Sequence, residues 1–126
     1  MDANGLILFA HGARDGRWAE PFERLRAKVA AASPETHVVL AFLELMTPNL
    51  ELAVTGLETS GCRSIVIVPV FFGQGGHVRH DLPRLVAEIA HGHPATQIRC
   101  TGAIGEDEEV LDALAEFCLR SMNVPS

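Results

Sequence analysis

The chain has 126 residues, is 48% hydrophobic and 21% charged, and carries a formal net charge of −6. That length suits a single domain over residues 1–126 with its own hydrophobic core, expected at about 5–120, and a short tail over 121–126. The acidic balance speaks against nucleic acid as a partner, and no apolar run approaches the ~18–20 residues that span a bilayer. The opening Met1-Asp2-Ala3-Asn4-Gly5 lacks the basic region of a secretory signal. We therefore expect a cytoplasmic protein without a membrane partner.

The first element is the apolar run Leu6-Ile7-Leu8-Phe9-Ala10, closed by His11-Gly12. A short continuous run of this kind reads as a strand buried on both faces. A helix can start at Asp15 or Gly16, with its core over Pro21 to Ala32 and Phe22, Leu25 and Val29 on its inward face. His37 to Leu43 is the second strand, and Glu44 stands at its exit. Thr47-Pro48 predicts an N-cap followed by proline at the first helical position. Leu50, Ala53, Val54 and Leu57 form that helix's apolar stripe, and Gly61 ends it.

Ser64 to Val70 is the third strand. A glycine-rich loop follows, Phe72-Gly73-Gln74-Gly75-Gly76, and then His77 and His80. Asp81 reads as an N-cap and Pro83 as a first-turn residue of a third helix whose stripe is Leu82, Leu85, Val86 and Ile89. Gln97 to Thr101 is a weaker fourth strand. The last helix is expected over Glu106 to Arg120, with Val110, Leu111, Leu114 and Phe117 inward. The order βαβαβαβα predicts an α/β fold: a parallel four-stranded sheet with right-handed crossovers and helices on both faces, as in a flavodoxin-like single lobe.

In such sheets ligands bind beyond the carboxyl ends of the strands. The residues just past strands one, two and three are His11, Glu44 and His77. Two imidazoles and a carboxylate suit a divalent first-row transition metal, and the same groups can act as general bases near neutrality. Arg14, Arg17, Arg79 and Arg84 flank the two glycine-containing loops. His37, His91 and His93 lie at element boundaries away from this mouth and read as surface residues. Cys62, Cys100 and Cys118 are an odd number without CxxC spacing, which argues against a disulfide framework or thiolate zinc site. No GxGxxG, Walker A or GxSxG pattern occurs. From these residues alone the alternatives are a metal or acid–base enzyme, a metal carrier, and a flavodoxin-like binding module without metal.

A family resemblance narrows them. His11-Gly12-Ala13-Arg14, Ala41-Phe42-Leu43-Glu44-Leu45, Pro69-Val70-Phe71-Phe72, Gly76-His77-Val78 and Asp81-Leu82-Pro83 together resemble the small CbiX-type sirohydrochlorin cobaltochelatases. These are class II, ATP-independent tetrapyrrole chelatases, and the likeness runs from Leu6 to about Phe117. It implies a chelatase-like lobe that inserts a divalent metal, Co²⁺ first and Fe²⁺ or Ni²⁺ as alternatives, into sirohydrochlorin for cobalamin or sirohaem. It implies no organic cofactor. It also implies a homodimer, because the larger relatives have two facing lobes and this chain has one. The family's metal-site histidines correspond to His11 and His77, and its acidic residue to Glu44. The substrate is a polycarboxylate, so Arg14, Arg79, His80 and Arg84, with the backbone at Gly75 and Gly76, are its candidate contacts. Where the family more often has serine after His-Gly, this chain has Ala13.

Overall fold

The computed structural model describes residues 3–123 apart from the side chain of His77. Four strands, β1 (Ala3–Ala10), β2 (Thr36–Phe42), β3 (Cys62–Pro69) and β4 (Gln97–Cys100), form an all-parallel sheet in the order β2-β1-β3-β4. β1 lies at the centre because it is the most apolar strand: Ile7, Leu8, Phe9 and Ala10 are all buried. The chain steps from β1 outward to β2, then back across to β3. The crevice where the direction reverses lies between the ends of β1 and β3.

The helices are α1 (Glu20–Ala32), α2 (Leu50–Thr59), α3 (Gly76–Gly92) and α4 (Glu108–Ser121), with 3-10 turns at Gly16–Ala19 and Ile104–Glu106. The main core lies on one face of the sheet. There Leu50, Ala53, Val54 and Leu57 of α2 and Leu82, Val86 and Ile89 of α3 pack on Ile7, Phe9, Ala41, Ile65 and Ile67. α1 takes the opposite face, over β2 and β1, with Phe22, Leu25 and Val29 half-buried. Its entry is fixed by Trp18, whose ring lies 4.6 Å from that of Phe22 and 6.4 Å from that of Phe42.

Four expectations are corrected. α2 is capped by Asn49, whose side chain accepts from the Leu52 amide; Thr47-Pro48 is a cis peptide before it. Asparagine competes well for the cap position, so the helix starts two residues later than the proline suggests. α3 begins at Gly76, not Asp81, and Pro83 lies inside it. A proline there forfeits the bond to the Arg79 carbonyl, a loss that the packing of Leu82, Val86 and Ile89 offsets. α4 starts at Glu108 with Asp107 as cap, but its expected inward residues Leu114 and Phe117 are 39% and 61% exposed. Finally, His93 is not a surface residue. Its side chain is only 10% exposed, held by Glu58 at 2.5 Å and Glu51 at 2.8 Å.

Cys62 is buried, Cys100 half-buried and Cys118 exposed, all as free thiols. No helix among the described residues is long and apolar enough to cross a membrane.

Candidate metal-handling site at the strand ends

The exits of β1 and β2 are joined by backbone. The Leu43 amide donates to the Ala10 carbonyl at 2.9 Å, and the Glu44 amide to the His11 carbonyl at 3.0 Å. The parallel ladder thus continues past the last paired strand residues and sets His11 beside Glu44. Gly12 has φ +94°, and a β-carbon on it would lie 1.8 Å from the Glu44 carbonyl oxygen. Only glycine fits there, both for the left-handed backbone and for the close approach. Leu45 then adopts φ 67°, and Met46 donates back to the Glu44 carbonyl at 2.8 Å. A bulky residue in the left-handed region is costly. The turn is held nonetheless, which orients the Glu44 segment toward the mouth.

His11 is exposed, yet its ring stacks on buried Phe71, with centroids 4.2 Å apart and planes inclined by 25°. Phe71 is held in turn from the β3 end, where Val70 donates to the Phe9 carbonyl at 2.7 Å and Phe71 accepts from Gly105 at 2.9 Å. Stacking uses one face of the imidazole and leaves its nitrogens, which lie in the ring plane, clear of Phe71.

A cavity of about 600 Å³ opens between the ends of β1 and β2 and the first turns of α3. It is lined by His11 and Glu44 together with Phe9, Leu43, Val78, Asp81, Leu82 and Leu85. Its volume falls within the range of small-molecule sites, roughly 300–1,000 Å³. Asp81 is the residue that sequence reasoning missed. With α3 beginning at Gly76, Asp81 is one helical turn inside it and four residues after His77, and it lines the cavity instead of capping the helix. The His77-x-x-x-Asp81 spacing signals this as soon as the helix is started early enough. His77 itself is in the first turn of α3; its side chain lies outside the described residues. Among the described residues no three His, Cys, Asp or Glu side chains converge as a ready ligand set.

None of the remaining candidates among the described residues lines this cavity. Arg14, His80 and Arg84 are exposed. Arg79 reaches away, its guanidinium 3.9 Å from Glu106. Gly75 is the N-cap residue of α3 and Gly76 its first residue, with open space at both α-carbons. The glycine-rich loop is thus residues 72–75, and residues 77–80 that follow it lie in the first turn of the helix, whose leading amides are left free of intrahelical partners. Leu43, Leu45 and Phe72 add exposed apolar surface at 40%, 60% and 74%.

Comparison with known proteins agrees with this architecture. The CbiX family profile matches residues 5–120. The sirohydrochlorin cobaltochelatase of Sulfolobus acidocaldarius is 28% identical over 120 residues, covering 95% of this chain and 94% of that protein. The sirohydrochlorin ferrochelatase of Bacillus subtilis is 32% identical over 86 residues, 68% of this chain but only 33% of that longer protein. The crystal structure of a CbiX protein from Marinobacter aquaeolei VT8 superposes with a TM-score of 0.84 at 28% identity, covering 95% of this chain and 98% of that one. With the profile match spanning nearly the whole chain, the protein belongs to the CbiX family.

Proposed function

We propose that this protein inserts a divalent metal ion, Co²⁺ by preference, into sirohydrochlorin without ATP or an organic cofactor. The observation that carries the reading is that His11 and Glu44 stand side by side in the lining of one cavity beyond the ends of β1 and β2, in a chain of the CbiX family. The relatives' printed activities are cobalt and iron insertion into that substrate, which supports the reaction class and leaves Fe²⁺ as the alternative cargo. The reaction suits a cytoplasmic homodimer in which two such mouths face each other across the macrocycle.

Metal insertion has three requirements: the ion sheds water, the macrocycle bends to expose its nitrogen lone pairs, and two pyrrole protons leave. His11 and His77 are assigned to hold the partly dehydrated ion as neutral imidazoles. Glu44 accepts protons as the ion transfers, and Asp81 adds a second carboxylate at the same cavity. Negative charge here attracts the cation and takes up the protons it displaces, so that the macrocycle centre exchanges two protons for one dication with no change in its charge. The apolar rim of Leu43, Leu45 and Phe72 takes the ring's faces. Arg14, Arg84, His80 and the backbone at Gly75 and Gly76 meet its carboxylates, with Arg79 available once it leaves Glu106. Binding the bent ring better than the flat one supplies the distortion.

The test is to mix the protein with sirohydrochlorin and, separately, Co²⁺, Fe²⁺ and Ni²⁺, and to follow the absorbance change against an enzyme-free blank. Insertion above the blank, fastest with Co²⁺, supports the reading. Tight macrocycle binding with only the blank rate for every metal replaces it with a carrier.

A further inference from the structure

His11 sits on an exposed turn, and among the described residues its imidazole makes no hydrogen bond or ion pair. A histidine held by nothing else turns easily about its outer side-chain torsion, whose preference is broad and two-fold. Here Phe71 takes one face of the ring, with centroids 4.2 Å apart and planes inclined by 25°. Phe71 is itself immobilised. It is 2% exposed, and its ring meets that of Phe9 at 5.9 Å, inclined by 51°. The stack is thus the contact that fixes the plane of the imidazole, and with it the direction of both nitrogens.

A second contact holds Phe71 from behind. The turn between β4 and α4 is tied to the end of β3: the Thr101 amide donates to the Ile67 carbonyl at 2.9 Å, and Ala103 is buried in the same core as Phe71. The Gly105 amide then donates to the Phe71 carbonyl at 2.9 Å. Gly105 is buried, and a β-carbon on it would lie 1.9 Å from the Phe72 carbonyl oxygen and 2.4 Å from Phe72 Cα. Any side chain there must push the backbone at Phe72 aside. Gly105 is the counterpart of Gly12, whose missing β-carbon admits the Glu44 carbonyl. Neither Phe71 nor Gly105 lines the cavity, so neither is placed to touch an ion or a macrocycle in it.

We propose that Phe71 is a positioning residue for His11, and that Gly105 acts on His11 through Phe71. This rests on the reading above that His11 holds the ion. The stack keeps the imidazole nitrogens in the orientation that meets an incoming divalent cation, so the ion is bound without first ordering the ring. Residues that support a metal ligand from behind govern about 10- to 100-fold in metal affinity or activity. Leucine at position 71 would fill much of the same core space and offer no flat face. Alanine at position 105 would leave the ring of Phe71 in place chemically and displace the backbone that carries it.

The experiment follows the His11 ring signals by NMR, assigned against His11→Ala, while Zn²⁺ alone is added as a diamagnetic divalent probe without macrocycle. The chains are wild type, Phe71→Leu, Gly105→Ala, the two combined, and Val54→Ala, each checked for its fold by circular dichroism. Val54 is buried in the core and does not line the cavity, so Val54→Ala reports lost stability alone. In the wild type the His11 ring protons should lie upfield of a free imidazole, shifted by the Phe71 ring, and should respond to Zn²⁺. Phe71→Leu should lose the shift and bind Zn²⁺ about 10- to 100-fold more weakly, with Val54→Ala unchanged. Gly105→Ala should weaken binding in the wild type and add nothing in the Phe71→Leu chain, because both act on one contact. Wild-type Zn²⁺ affinity in Phe71→Leu, or an equal loss in Val54→Ala, overturns the positioning role. A further, additive loss in the combined variant overturns the route from Gly105 through Phe71. If the variants do not fold, the wild-type spectrum decides: His11 ring protons at free-imidazole positions, or without response to Zn²⁺, overturn the proposal. Insertion by the same chains separates this from the reading above. A wild type that binds Zn²⁺ at His11 but metallates sirohydrochlorin only at the blank rate overturns insertion and leaves the positioning role standing.

Discussion

The Glu44 amide donates to the His11 carbonyl at 3.0 Å, and Gly12 between the strand and the loop leaves no room for a β-carbon against the Glu44 carbonyl oxygen. The two candidate site residues are therefore fixed to one another by backbone and not by their side chains. Gly12→Ala should break this arrangement. It combines an unfavourable positive φ with a backbone clash, and should cost about 2–4 kcal/mol. A drop in Tm of roughly 10 °C, with insertion reduced even at temperatures where the variant is folded, is the expected outcome. Calorimetry and the insertion assay check it together.

Asp81 lines the same cavity from α3. Asp81→Asn keeps its shape and removes its charge. If the carboxylate takes part in drawing protons from the macrocycle, kcat should fall about 10- to 100-fold with little change in Tm. An unaltered kcat would remove Asp81 from the proposed chemistry.

The cationic residues should behave differently from the site residues. Arg84→Ala and Arg14→Ala each remove an exposed contact, worth roughly 0.2–1 kcal/mol. KM for sirohydrochlorin should rise up to about 5-fold with kcat unchanged. Arg79→Ala should have less effect than Arg84→Ala, because Arg79 is drawn toward Glu106. Steady-state titration of the macrocycle separates these cases.

At the far end of the sheet, His93 bridges Glu58 and Glu51, and Thr96 donates to Glu58. These bonds raise the His93 pKa, with Glu51 the largest cause, and lower that of Glu58, with Thr96 the largest. The raised imidazole stabilises the fold fully below its ordinary 6.5 and loses this as pH rises through its folded value. The depressed carboxylate stabilises it above its ordinary 4.5 and loses this as pH falls through its folded value. Arg63 adds a favourable charge to Glu58. The cluster's contribution is thus greatest between these two ordinary values. Glu51 is half-exposed, which screens its share. His93→Ala should cost about 1–2 kcal/mol at pH 6 and flatten the dependence of Tm on pH above neutrality. Equal losses at pH 6 and pH 9 would count against the bridge.

Much of this was legible in the chain. The β-branched run of β3 and the apolar run of β1 mark central strands, and His11 and Glu44 stand directly after strand ends. Three features were obscured for physical reasons. Gly76 and Pro83 disguise the start of α3, because tertiary packing of Leu82, Val86 and Ile89 overrides their poor helix propensity. That error hid Asp81. His93 reads as a boundary residue because its partners come from α2, distant in sequence. The stripe of α4 has correct helical spacing, but periodicity says only that an apolar face exists and not that it packs inward, and Leu114 and Phe117 stay exposed.

The central claim is that His11 handles the metal as it passes to the macrocycle. Single-turnover insertion of Co²⁺ into sirohydrochlorin by the wild type and by His11→Ala tests it most directly. The stacked ring is exposed and adds little to the core, so the variant should keep its fold and still bind the macrocycle. The account predicts a rate reduced at least about 100-fold, close to the enzyme-free blank. A folded His11→Ala protein that inserts cobalt at the wild-type rate would contradict it.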